Sequence, residues 1–178
     1  MIRVFVAIPR PGAVVADLVP LCNGLPGAKW TLPEQFHLTL RFIGEVAEAR
    51  FADIAEVLAE VAAPAFELTV TGVGHFTTAG RPRVLWAGVA KSQALDTLAR
   101  RIDQVLREIG LRGDSRGFMP HVALARLKDS PLERVRDFLA RHEGLALPPY
   151  PVTAFALFSS VLRTERAIHR EEAVYPLE

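Results

Sequence analysis

Two short segments share one shape: His37-Leu38-Thr39-Leu40 and His121-Val122-Ala123-Leu124 each begin with a histidine inside an apolar, strand-like run. Roughly eighty residues separate them, about the size of a small lobe. Strand side chains alternate faces, so each histidine shares a face with the residue two positions on. The first copy therefore sets an imidazole beside a hydroxyl, Thr39, and the second sets one beside a methyl, Ala123. An imidazole titrates near neutrality, so two of them brought together from two similar lobes can act as general acid and general base. His37 and His121 have no carboxylate or histidine neighbours in sequence, so the pattern implies no metal and no cofactor.

The elements that must position these residues follow from periodicity. Residues 2–8 read as a buried strand, 13–21 as a helix disturbed at Pro20, and Asn23-Gly24 and Pro26-Gly27 as turns. Residues 37–43 form a strand closed by Gly44, and 46–62 form a helix stopped by Pro64. Strands follow at 66–71 and 84–89, close enough to pair antiparallel. Residues 92–109 carry Leu95, Leu98, Ile102, Val105, Leu106 and Ile109 as one helical stripe, with Gly110 as its C-terminal cap. After a loop at 111–120 come a strand at 121–127 and a helix from Ser130-Pro131 to about Arg141, with Ser130 as N-cap. A strand at 152–159 precedes strand and turn over 161–177, with Glu171 and Glu172 exposed. The fold class is α+β: two pseudo-symmetric lobes, each an antiparallel sheet covered by helices, with a central cleft between them. No linker or low-complexity run divides the chain, so residues 1–178 form a single bilobal domain.

Composition excludes several classes. Half of the 178 residues are hydrophobic and 23% are charged, ordinary for a folded protein with a real core. A formal charge of +1 lacks the basic excess of a dedicated duplex binder. The single cysteine, Cys22, permits no intrachain disulfide and reads as a buried thiol in a reducing compartment. No stretch is long enough to cross a bilayer, and the apolar start at Met1–Pro9 is too short for a signal-peptide core. A cytoplasmic monomer, with no membrane partner, is the expectation.

The chain resembles the two-histidine phosphoesterases, and most closely their bacterial and archaeal RNA 2′,3′-cyclic phosphodiesterases, also called RNA 2′,5′-ligases. The resemblance runs from Arg3-Val4-Phe5-Val6-Ala7-Ile8 through Trp30 and Phe36–Gly44, then Gly72–Phe76 and Arg81–Val89, to Phe118–Arg126, Ser159–Leu162 and Tyr175-Pro176-Leu177. It implies that His37 and His121 are catalytic, that Thr39 binds phosphate, and that the substrate is RNA or an oligonucleotide with a 2′,3′-cyclic phosphate end, opened to a 2′-phosphate. The same pair run backwards with an RNA 5′-hydroxyl would form a 2′,5′ linkage. Where this family carries Thr or Ser in its second motif, this chain has Ala123. One phosphate-facing hydroxyl is thus absent, which leaves open a slower enzyme, a shifted substrate such as a small cyclic or 2′,5′-linked nucleotide, or a nucleotide-binding module without turnover.

Around the pair, Phe42 is a candidate for stacking a substrate base, with Trp30 as a second aromatic. Arg126 stands at odd spacing from His121, on the opposite face of a regular strand, whereas the resemblance brings it to the cleft as a substrate-binding residue. Arg41 reads as a solvated charge. Arg81, Arg83, Arg112 and Arg116 are assigned to loops as scattered surface charges or a basic rim. His75, His142 and His169 match no motif and read as structural or exposed.

Overall fold

The computed structural model describes residues 1–9 and 11–178. Its strands are β1 (Ile2–Ile8), β2 (Ala28–Trp30), β3 (Leu38–Val46), β4 (Phe66–Leu68), β5 (Val70–Thr78), β6 (Arg81–Val89), β7 (His121–Leu127), β8 (Tyr150–Val152), β9 (Ala154–Leu162) and β10 (Ala167–Pro176). Its helices are α1 (Gly12–Leu18), α2 (Glu48–Leu58), α3 (Gln93–Glu108) and α4 (Leu132–His142). The main sheet runs β10-β9-β1-β3-β7-β6-β5, with β2 also paired to β7, and every pairing is antiparallel. A small second sheet joins β4 to β8.

The main sheet is two half-sheets joined at one point. Strands β3 and β7 pair only through Leu38 and Val122, the residues that directly follow the two histidines. Both are buried and face the helices. Antiparallel register about that pair sets the two motifs around one patch of the opposite face. His37 and His121 take diagonal corners, with Thr39 in line with His121 and Ala123 in line with His37. The cleft between the lobes opens there.

Helices cover the other face. Val4, Val6 and Ile8 of β1 point into it, and α3 adds Leu95, Leu98, Ile102 and Leu106, all essentially without solvent contact. The Ser92 hydroxyl accepts a hydrogen bond from the Leu95 amide at 3.2 Å and caps α3. Gly110, at φ +89°, ends it in the left-handed conformation that favours glycine. Helix α4 packs Val135 and Phe138 beneath β5 and β6.

Three bulges re-aim side chains near the cleft. In β3 the pairing with β1 skips Leu40 and again Ile43, and in β7 the pairing with β6 skips Leu124. Each extra residue flips the alternation downstream. After Leu40, Arg41 turns to the helix face and Phe42 to the cleft face; after Leu124, Ala125 turns to the helix face and Arg126 to the cleft face.

Arg41 therefore does point away from His37, but it is buried, not solvated. Its guanidinium is 8% exposed, lies 3.1 Å from the Asp103 carboxylate, and donates to the Leu111 carbonyl at 2.8 Å. Asp103 also holds Arg107, at 2.5 Å. This cluster ties β3 to the end of α3 and to the loop that leads to His121. Removing the carboxylate leaves a buried guanidinium without its counter-charge, so Asp103→Ala is expected to lose about 3 kcal/mol. The check is a lower urea midpoint at unchanged m-value.

Other departures from the sequence expectations have local causes. The 66–71 run is broken at Thr69: Phe66–Leu68 pairs with β8, and only Val70 onward pairs with β6. Strand β5 continues through Gly72 and Gly74, whose poor strand propensity hid it. Ser130 is not an N-cap. Its hydroxyl donates to the Pro26 carbonyl at 2.7 Å, and Pro131 occupies the cap position of α4. The helix expected over 13–21 ends at Leu18 and tightens into a 3₁₀ turn at Val19–Leu21. Gly44 does not close β3, which runs to Val46, so α2 begins only at Glu48.

Candidate active site

Each motif histidine is fixed in the same way. The Nδ1–H of His37 donates to the Gln35 carbonyl at 2.8 Å, and that of His121 to the Met119 carbonyl at 2.7 Å. A carbonyl oxygen only accepts, so the proton on each Nδ1 is required, and Nε2 is left free to take or give one. Gln35 ends a 3₁₀ turn, Pro33–Gln35, that leads straight into β3, and Met119 closes the loop before β7. Two unrelated local structures thus present the same tautomer from the two lobes.

The rings differ in their surroundings. His37 lies against Phe5 at 4.9 Å between centroids, near Phe158 at 6.3 Å, and meets the edge of His169 at 5.1 Å and 84°. Burial lowers its pKa from the ordinary 6.5, and the nearby charge of His121 lowers it further, while the hydrogen bond to Gln35 opposes both. His121 meets Phe76 edge to face at 4.9 Å and 90°, with Trp86 at 6.3 Å. Trp86 is the register partner of Ala123, and its indole lies across Gly74, where a Cβ would collide with the ring.

Thr39 lies on the cleft face, opposite Ala7 in register, and its hydroxyl makes no hydrogen bond among the described residues. The neighbouring Thr31 hydroxyl is turned to the Ala123 carbonyl at 2.9 Å, where it straps β2 to the bulge. Phe42 reaches the cleft face 53% exposed, with the Arg3 guanidinium 5.2 Å from its ring centre. Arg126 is exposed on the cleft face, near enough for its charge to act on His169.

Trp30 does not line the cleft. It sits opposite Ala125 in β7, on the helix face, and packs on Phe138 at 5.8 Å. His75 faces Leu85 in register, away from the cleft, and His142 packs on Phe138 at 4.5 Å. Arg81 and Arg83 belong to β6 and not to a loop; Arg81 pairs with Asp129 at 3.7 Å and Arg116 with Asp114 at 2.7 Å. Cys22 is half-buried, and burial pushes its thiol up to about 11.

The residue that sequence reasoning passes over is His169. Opposite Ser160 in β9, it stands edge-on to both His37 and Phe5, with its Nδ1 buried and without a hydrogen-bond partner among the described residues. Burial first, then the charges of His37, Arg126 and Arg3, lower it to about 4, so it is neutral at neutral pH. Only the pairing of β10 with β9 brings it here, and no motif in the sequence marks it. Among the described residues no group of three or more His, Cys, Asp or Glu is placed to hold a metal ion, and no helix is long and apolar enough to cross a membrane.

Comparison with known proteins bears on the family and the fold. A family model described as LigT like Phosphoesterase matches residues 8–86 and 88–169. An RNA 2′,3′-cyclic phosphodiesterase of Archaeoglobus fulgidus is 32% identical over 97% of this chain and 99% of its own length. A protein of the same name from Aeropyrum pernix is 33% identical over 83% of this chain and 85% of its own. Among solved structures, TT0787 of Thermus thermophilus superposes with a TM-score of 0.80 at 27% identity, covering 98% of this chain and 97% of that one. E. coli LigT complexed with 3′-AMP shares the fold, with a TM-score of 0.77 at 24% identity over 99% of this chain and 98% of that one.

Proposed function

The chain belongs to the LigT-like phosphoesterase family, and from that premise we propose that it is an RNA 2′,3′-cyclic phosphodiesterase whose acid–base pair is His37 and His121. One observation supports the pairing above the rest: both imidazoles donate Nδ1–H to a backbone carbonyl and present a free Nε2 from diagonal corners of the lobe junction. In-line displacement at phosphorus needs a base behind the attacking water and an acid behind the leaving ribose oxygen. Two fixed Nε2 atoms on either side of one patch supply both. The Thr39 hydroxyl is positioned to hydrogen-bond a non-bridging phosphate oxygen and Arg126 to balance its charge. We propose that residues 1–178 work as one bilobal unit, as a cytoplasmic monomer on RNA ends. Attack by water with the P–O3′ bond broken and the 3′ oxygen protonated would give a 2′-phosphate, and a 5′-hydroxyl in place of water, with the same bond broken, would give a 2′,5′ linkage.

The bound state requires one imidazole neutral and the other protonated, so kcat/KM should follow a bell-shaped pH curve. The acid limb reports the more acidic of the two groups, whichever acts as base, because exchanging the roles scales the curve without moving its limbs. His37 is held below its ordinary value. The acid limb is therefore expected below pH 6.5, with activity gained as pH rises through it. A pH–kcat/KM profile checks this.

Phe42, open on the cleft face beneath Arg3, offers a stacking surface for a further base of an oligomer. Loss of one stacked base weakens the interaction roughly tenfold. Phe42→Ala is therefore expected to lower kcat/KM about tenfold on a cyclic-ended oligonucleotide and distinctly less on a cyclic mononucleotide. Equal losses on both would count against RNA as the preferred substrate and favour a small cyclic nucleotide.

A further inference from the structure

A cavity of about 230 Å³ opens beside His37, lined by Glu34, Gln35, His37, Phe158, His169 and Glu171 among others. Its lining differs in chemistry from the phosphate-facing patch. His121, Thr39 and Arg126 do not line it, and among the described residues its only charged side chains besides the imidazoles are two carboxylates. Neither Glu34 nor Glu171 makes an ion pair or hydrogen bond among the described residues.

The fold aims Glu171 there. It lies directly across from Phe158 in the β9–β10 pairing, and the ladder slips immediately after it at Glu172. That bulge turns Glu172 to the other face, where it accepts a hydrogen bond from Ser159 at 2.6 Å, and leaves Glu171 on the cleft face with His169. Phe158 is itself backed by Phe5, the two rings stacked at 5.2 Å and 7°. The cavity thus combines a rigid aromatic wall, a carboxylate at its edge and a neutral imidazole.

The two carboxylates disfavour a phosphate deep in this cavity. A flat group that carries hydrogen-bond donors fits it, and in a 2′,3′-cyclic nucleotide that group is the base. We propose that this cavity is the subsite for the base of the cyclic-phosphate nucleotide and that Glu171 selects bases with exocyclic amino donors, adenine, cytosine and guanine, over uracil. Uracil offers one donor, N3–H, flanked on both sides by carbonyl oxygens, whereas the other three bases each add an exocyclic N–H₂, so a carboxylate at the uracil edge meets lone pairs beside its single proton. The inference rests on the phosphodiesterase reading and adds a base preference that the two histidines do not dictate.

The test measures kcat/KM for the 2′,3′-cyclic phosphates of adenosine, cytidine, guanosine and uridine, and for the base-less 1,2-cyclic phosphate of glycerol. A charge-assisted hydrogen bond gained or lost corresponds to roughly tenfold. Wild type is expected to turn over the three amino-bearing nucleotides at least about tenfold better than the uridine one. Glu171→Gln, which keeps size and adds a donor, is expected to bring that ratio close to one. Similar rates on all four nucleotides, or a ratio that survives Glu171→Gln, overturn the subsite and leave the phosphodiesterase standing. No turnover of any of the five compounds overturns both.

Discussion

His37→Ala and His121→Ala are each expected to lower kcat/KM on a 2′,3′-cyclic-ended RNA by about 10²–10⁴, the usual worth of one general acid or base. The double variant should fall little further than the worse single one, because the two rings act as a unit on one proton-transfer sequence. The folded state should be little disturbed. Each ring's hydrogen bond goes to a backbone carbonyl two residues upstream, so no hydrogen bond between distant elements is lost with it. Removal of His121 also removes the charge that helps to hold His37 low. The limb that His37 sets in the residual activity of His121→Ala should therefore shift towards higher pH. Steady-state rates beside urea unfolding curves separate lost chemistry from lost structure.

Thr39 carries the second large effect. It is the one motif hydroxyl left in the cleft, since Ala123 has none and the Thr31 hydroxyl is committed to the Ala123 carbonyl. Deletion of a single donor aimed at developing phosphate charge costs on the order of 10²–10³ in kcat. Thr39→Ala is expected to show a loss of about that size, with KM changed much less, because the contact strengthens as charge develops. Ala123→Thr is expected to act in the opposite sense. Residue 123 is half-buried on the cleft face, in register line with His37, and threonine suits a strand. A rise in kcat there would identify the absent hydroxyl as a limit on this chain. No change in kcat for either variant would remove phosphate binding by the motif hydroxyls from the mechanism.

Much of this site is legible in the sequence, and the remainder has a definite physical reason. The histidines can be read because each sits at the start of a strong apolar strand, where local pattern and position agree. The helix stripe of α3 is equally plain: Leu95, Leu98, Ile102 and Leu106 are buried, Val105 and Ile109 are half-buried, and Ala99 joins the buried set. Phe42 and Arg126 are harder. Strict alternation puts both on the wrong face, and only the bulges at Leu40 and Leu124 turn them into the cleft. Neither bulge is marked by glycine, so the sequence carries no local sign of them. Arg41 stands at even spacing from His37, so it is the bulge at Leu40 that turns it to the helix face, and its burial there depends on Asp103, which lies on a helix far along the chain. His169 and Glu171 depend on the register of an edge hairpin, which one sequence does not specify.

The proposed chemistry stands or falls on two imidazoles that direct water in line at a cyclic phosphate without a metal ion. Hydrolysis of a 2′,3′-cyclic-ended RNA in ¹⁸O-labelled water with EDTA present examines that step itself, with the product identified by mass and by phosphorus NMR. The expected outcome is turnover that persists in EDTA, yields only the 2′-phosphate with one ¹⁸O, and is lost in His37→Ala and in His121→Ala. A 3′-phosphate product, dependence on a metal ion, or turnover that survives either substitution would refute the two-histidine mechanism.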